Sequence, residues 1–174
     1  ITAIGRQVDG VLLFPRAHPE ESISLLKQSG VPFVLVSRHT NNPDYDYVVC
    51  DEEMGGYLAG KHLIEAGHRK LVYYFTSPVI FSSEQRTCGL LRASREAGIP
   101  DGDVRYYQYR NKAETLDQLT KWKAEGFTGI FLFCDIEAWQ LYECIRSRSL
   151  QDDFGLVGFD NIQGVIGFPS PLCT

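Results

Sequence analysis

Arg38, Asp51, Asp135 and Asp160 stand at or just beyond the ends of short β-branched or aromatic runs, and Arg86 lies one helical turn ahead of Gly89, Leu90, Ala93 and Ala97. A carboxylate accepts hydrogen bonds from hydroxyl groups, and a guanidinium presents a planar fork of donors. Together such groups can hold a polar small molecule. Capping competes with that role for each aspartate, because Asp between a strand and a helix also accepts from free helix N–H groups. Arg86 has two readings as well. Facing a sheet at a helix N-terminus, it suffers from the dipole and from desolvation, so it either points into a wet cleft to hold a ligand or snorkels to solvent. The rings of Phe14, Phe75, Phe81 and Trp139 fall at or past strand ends, where a flat face can stack on a sugar or a purine. Ordinary core packing would place rings there too.

Covalent chemistry finds no support. The chain has no GxSxG elbow, no GxxxxGK[ST] loop, no HExxH and no GxGxxG after a strand. His18, His39, His62 and His68 lack partners at metal-ligand spacing, so no metal or cofactor is expected. Cys134 has no marked histidine partner, and Glu52–Glu53 suits the acidic first turn of a helix. The expectation is a binding protein, not an enzyme.

The elements that position these residues alternate. Apolar runs at Val8–Phe14, Pro32–Ser37, Tyr47–Cys50, Leu71–Phe75, Gly129–Cys134 and Phe154–Phe159 are separated by helical patterns. Alternating β and α units imply parallel sheets, whose ligands bind outside the carboxyl ends of the strands. Val8–Phe14, almost unbroken in its apolarity, reads as a strand covered on both faces. Gly56, Ala59, Gly60 and Leu63 recur at helical spacing and make one small face able to lie close on a sheet. Ser77–Pro78 breaks the rhythm. The expected organisation is an N-terminal lobe over 1–76 lacking its first strand, a C-terminal lobe over 77–168 hinged near Thr76–Val79, and a return crossover over 169–174. Both ends look cut, so the α/β architecture is expected to be truncated at each.

Composition narrows the class further. At 174 residues, 44% hydrophobic and 22% charged, the chain can bury a full core. A net charge of −5 spread along the chain excludes a basic nucleic-acid stripe within this stretch. No apolar run approaches the roughly 18 residues of a membrane span. Five cysteines without a CxxC pair read as buried free thiols in a reducing compartment.

A set of ordered motifs then resembles a known family. These are Val8-Asp9-Gly10-Val11, Gly30-Val31-Pro32-Phe33-Val34, Asp51 with Gly55-Gly56, His62-Leu63-Ile64-Glu65-Ala66-Gly67-His68-Arg69, Arg86-x-x-Gly89, Val157-Gly158-Phe159-Asp160-Asn161 and Pro171-Leu172-Cys173-Thr174. The chain is similar, through nearly its whole length, to the effector-binding core of LacI/GalR (lactose-repressor/galactose-repressor) family transcription regulators. That resemblance implies two Rossmann-like lobes of the periplasmic-binding-protein type around a ligand cleft, and a homodimer in the cytoplasm. It also implies operator DNA read through an N-terminal helix-turn-helix absent from this chain, and a carbohydrate-like effector. By resemblance, Arg86 and Asp160 bind effector hydroxyls. The ligand-contacting position before Asp135 is often Asn in the family and is Cys134 here, a weak hydrogen-bonding group. The expected ligand set is therefore Arg86, Asp160, Asp135, Phe14, Arg38, Phe81, Trp139 and Cys134. The alternative on the same fold is a solute-binding protein of a sugar transporter, which would need a signal peptide.

Overall fold

In a computed structural model of the protein, the described residues are 8–14, 20–40, 42–76 and 81–162. The chain divides into two compact units, Ile1–Asp51 and Glu52–Thr174.

The first unit holds β1 (Val11–Leu13), α1 (Glu20–Ser29), β2 (Phe33–Val36) and β3 (Asp46–Val48) in a parallel sheet of order β1-β2-β3. Ile23 and Leu26 of α1 and Leu35 of β2 are buried. α1 ends as expected at Gly30, whose φ of 69° no β-carbon obstructs and whose N–H returns to the Lys27 carbonyl at 3.2 Å. β1 departs from the expectation of a strand covered on both faces: Leu12 stands 67% exposed. An unbroken apolar run does not reveal which of its faces finds a partner.

The second unit is a four-stranded parallel sheet of order β5-β4-β6-β7, built from β4 (Leu71–Phe75), β5 (Val104–Gln108), β6 (Gly129–Leu132) and β7 (Gly155–Val157). Four helices flank it: α2 (Glu52–Glu65), α3 (Phe81–Glu96), α4 (Lys112–Glu125) and α5 (Asp135–Ser147). The strand period of two sorts the core. Leu71, Tyr73, Phe75, Phe131 and Val157 face one layer with Ala59 and Leu63 of α2 and Leu90 of α3. Val72, Tyr74, Ile130 and Leu132 face the other, with Leu119 and Trp122 of α4 and Leu141 and Ile145 of α5. Covered on both faces, β4 is buried at every position.

Strand pairing places 52–76 with the second unit. β4 is hydrogen-bonded on one side to β5 and on the other to β6, and α2 packs against α3. A strand with both edges filled inside one sheet cannot close another, so 52–76 belong to the second unit and the division falls at Asp51/Glu52. The expected boundary of 1–76 and 77–168 differs from this division, and the expected hinge residues Ser77–Val79 lie outside the described residues. The return crossover expected over 169–174 lies outside the described residues.

The small face of α2 is shared between the sheet, which Ala59 and Leu63 meet as expected, and α3. A β-carbon on Gly56 would collide with the Arg86 carbonyl oxygen, and one on Gly89 would collide with the Glu53 carbonyl oxygen. Small residues from both helices thus meet at a crossing of α2 on α3.

Candidate functional site

The carboxyl ends of β4, β6 and β7 carry Thr76, Phe133–Cys134 and Gly158–Asp160, and the first turns of α2, α3 and α5 begin near them. Arg86 joins these elements. Its Nε donates to Glu52 Oε2 at 2.6 Å, and its Nη1 donates to the Phe133 carbonyl. The guanidinium carbon lies 3.5 Å from the Phe159 ring centroid and 4.5 Å from that of Phe133. Arg86 is only 5% exposed. Burial of a guanidinium demands such pairing, since an isolated charge would be expelled from low dielectric. Burial rules out the snorkelling alternative: Arg86 bridges the start of α2 to the end of β6 between two phenyl faces. Among the described residues nothing accepts from its Nη2. That edge of the fork retains its donors.

Asp135 is 1% exposed. The cap position of α5 is Cys134, which makes no side-chain capping bond, and Asp135 is the first helical residue. Its carboxylate does not cap but turns to the loop after β7. Oδ2 accepts from the Ile162 N–H at 2.9 Å, and the Asp135 N–H returns to the Phe159 carbonyl at 2.9 Å. Oδ1 is buried without a hydrogen-bond partner and lies so close to Gly158 that a β-carbon there would strike it. Asp135 is thus a brace for the loop bearing Asp160, and direct ligand contact is not what this geometry offers.

Asp160 itself is exposed. Its φ of 96° and the 50° of Asn161 put two successive non-glycine residues in the left-handed region, a strain that persists only where the surroundings enforce it. Partial burial, with the nearby Asp135 and Glu52 charges, pushes its carboxyl above the usual aspartate range, while Arg86 draws it back. Glu137, 4% exposed, accepts at Oε1 from the Thr76 N–H at 3.0 Å and from the Thr76 hydroxyl. Its Oε2 is buried without a partner, and burial pushes its carboxyl above the ordinary glutamate value.

The remaining expected residues are more dispersed. Cys134 is half-buried and burial pushes its thiol up, which disfavours a thiolate nucleophile. Trp139 is half-buried on α5, its ring 5.7 Å from that of Tyr142. Phe81 opens α3 and is half-buried. Phe14 is exposed and Arg38 half-buried in the first unit. A cavity of about 360 Å³ borders Gly55, Leu58, His62, Gly158, Phe159 and Asp160. It touches only Asp160 of the expected ligand set. Cys50 and Cys88 are exposed rather than buried, Cys144 is buried, and Cys173 lies outside the described residues.

Sequence reasoning missed Glu52, Thr76, Phe133, Phe159 and Glu137. Glu52–Glu53 carried a signal in hindsight, since the two acids take Arg86 and Arg92, one arginine each, on α3. Glu137 carried none, because an acid in a helix's first turn looks alike whether solvated or buried. Among the described residues, no group of three His, Cys, Asp or Glu is placed to hold a metal, and no helix is long and apolar enough to cross a membrane.

Comparison with known proteins adds the family context. The sequence model of the periplasmic binding protein-like domain matches residues 61–174. The HTH-type transcriptional repressor PurR of Mannheimia succiniciproducens is 30% identical, the match covering 97% of this chain and 52% of that protein. The chain thus spans about half the length of the curated relatives it matches. A LacI family transcriptional regulator from Enterococcus faecium, solved with bound ribose, superposes with a TM-score of 0.82 at 24% identity, covering 98% of this chain and 66% of that one. A transcription regulator from Lactobacillus plantarum gives a TM-score of 0.77 at 26% identity, covering 93% and 63%.

Proposed function

We infer, since the chain belongs to the periplasmic binding protein-like domain family in the form found in LacI-family transcriptional regulators, that it is the effector-binding core of a ligand-responsive, DNA-binding regulator. The match to an HTH-type repressor along nearly the whole chain carries this reading. Bound ribose in the Enterococcus faecium structure supports a sugar or related small metabolite as effector. No catalytic step belongs to the proposal.

Within the second unit, Arg86 would offer its remaining Nη2 donors to a ligand oxygen, and Asp160, exposed and held in a strained turn, would accept a hydroxyl. Cys134, Trp139 and Phe81 would line the approach. In the first unit Phe14 and Arg38 remain candidates for ligand contact. Effector binding would shift the population between conformations, and a homodimer would pass that shift to paired helix-turn-helix headpieces on operator DNA in the cytoplasm.

A thermal-shift screen of sugars, sugar phosphates and purines on the full-length protein tests this. At least one class should raise the midpoint, since a ligand that binds only the folded state stabilises it. The same ligand should change affinity for operator DNA. A hit that leaves operator binding untouched would sink the regulatory reading.

A further inference from the structure

Among the described residues of the second unit, Arg86 faces four carboxylates, Glu52, Asp135, Glu137 and Asp160. Glu52 pairs with it at 2.6 Å, Asp160 interacts electrostatically with Arg86, Asp135 and Glu52, and Glu137 interacts with Arg86 from the start of α5. Arg92, another arginine of α3, is engaged by Glu53. Among the described residues, two buried oxygens, Asp135 Oδ1 and Glu137 Oε2, have no hydrogen-bond partner. An anionic effector reaching Arg86 would therefore meet a guanidinium already neutralised and a surrounding excess of negative charge. Like charges in a desolvated site repel strongly.

We infer that Glu52 is a specificity-determining residue that makes this a site for uncharged polyhydroxylated effectors and excludes phosphorylated or carboxylated ones. The ion pair fixes the guanidinium plane through Nε and cancels its charge, leaving Nη2 as a neutral-ligand donor edge. Hydroxyl groups need donors and acceptors but no net cation, and the exposed Asp160 can serve them as an acceptor. A phosphate would have to displace Glu52 from a side chain 6% exposed, leaving a buried carboxylate unpaired. This rests on the effector-binding reading above.

The test uses matched pairs on the full-length protein: ribose with ribose 5-phosphate, glucose with glucose 6-phosphate and with gluconate, and inosine with its 5′-phosphate. Thermal shift finds responders and calorimetry measures affinity. In each responding pair the uncharged member should bind roughly tenfold or more tightly. Glu52→Gln keeps a hydrogen-bond acceptor for Nε and removes the charge, so it should move the ratio at least about tenfold toward the anion. A wild-type protein that binds the anionic member as tightly or more tightly overturns the charge rule while leaving the effector reading intact. No response to any pair overturns both. If Glu52→Gln fails to fold, the wild-type ratios decide alone. An unchanged ratio in a folded variant removes Glu52 from the role.

Discussion

Arg86 holds two jobs that substitution can separate. Its ion pair with Glu52 and its bond to the Phe133 carbonyl tie α2, α3 and β6 together, so removing it leaves a nearly buried carboxylate alone. Arg86→Ala should lower stability by about 3–5 kcal/mol, the usual cost of breaking a buried pair from one side, and abolish effector binding. Replacing both partners, as Arg86→Met with Glu52→Met, should recover most of that stability, because apolar residues of similar volume often match a buried ion pair. Binding should stay lost. Urea unfolding and calorimetry on the two variants check this, and a double variant as unstable as Arg86→Ala would show that packing, not the unpaired charge, dominates.

At the scale of elements, the crossing of α2 and α3 sets where Arg86 emerges. Alanine normally favours a helix over glycine by about 1 kcal/mol. At Gly56 and Gly89 a β-carbon would instead meet backbone oxygen of the opposite helix, which cannot swing aside like a side-chain tip. Gly56→Ala and Gly89→Ala should each destabilise by a net of about 1–3 kcal/mol, the range for overpacking. Gly60→Ala should cost less, because its nearest obstacle is the Leu90 side-chain terminus at 2.8 Å. Denaturant midpoints of the three variants order them. Equal stability at all three would mean that the helices separate freely.

For the molecule as a whole, pH dependence reports buried titrating groups with opposite signs. His68 pairs its Nδ1 with the Thr128 hydroxyl at 2.9 Å and sits tight against Gly155. Burial holds its pKa below the ordinary 6.5. As pH falls below that value the unfolded chain takes up a proton that the folded chain refuses, so stability declines until the folded pKa is passed. Glu137 acts in reverse. Its carboxyl titrates above the ordinary 4.5 when folded, so its charge opposes folding at neutral pH and that penalty fades as pH falls through the raised value. Melting curves from pH 7.5 to 4 should show His68→Gln flattening the decline below 6.5. Glu137→Gln should gain most over wild type near neutrality and least at pH 4. A Glu137→Gln gain that grows toward acid would reverse the assigned sign.

Much of this was legible in residue order. The family resemblance, through the Arg86-x-x-Gly89 and Gly158-Phe159-Asp160-Asn161 segments, supplied the candidate ligand residues, while periodicity located the strands and helices to within a few residues and Gly30 and Gly67 marked helix ends. These signals are local: side-chain period and turn chemistry are written within a few neighbouring residues. What residue order left open was every choice of partner. Which sheet would accept Leu71–Phe75, that the small face of α2 would meet a second helix as well as the sheet, and how Asp135 would use its carboxylate were decided by contacts tens of residues apart in sequence. The fate of Arg86 shows why. Its chemistry is the same in water or under two phenyl rings, and only the folded chain, by bringing Glu52 and Phe133 to it, determined how much of its charge remains for anything else.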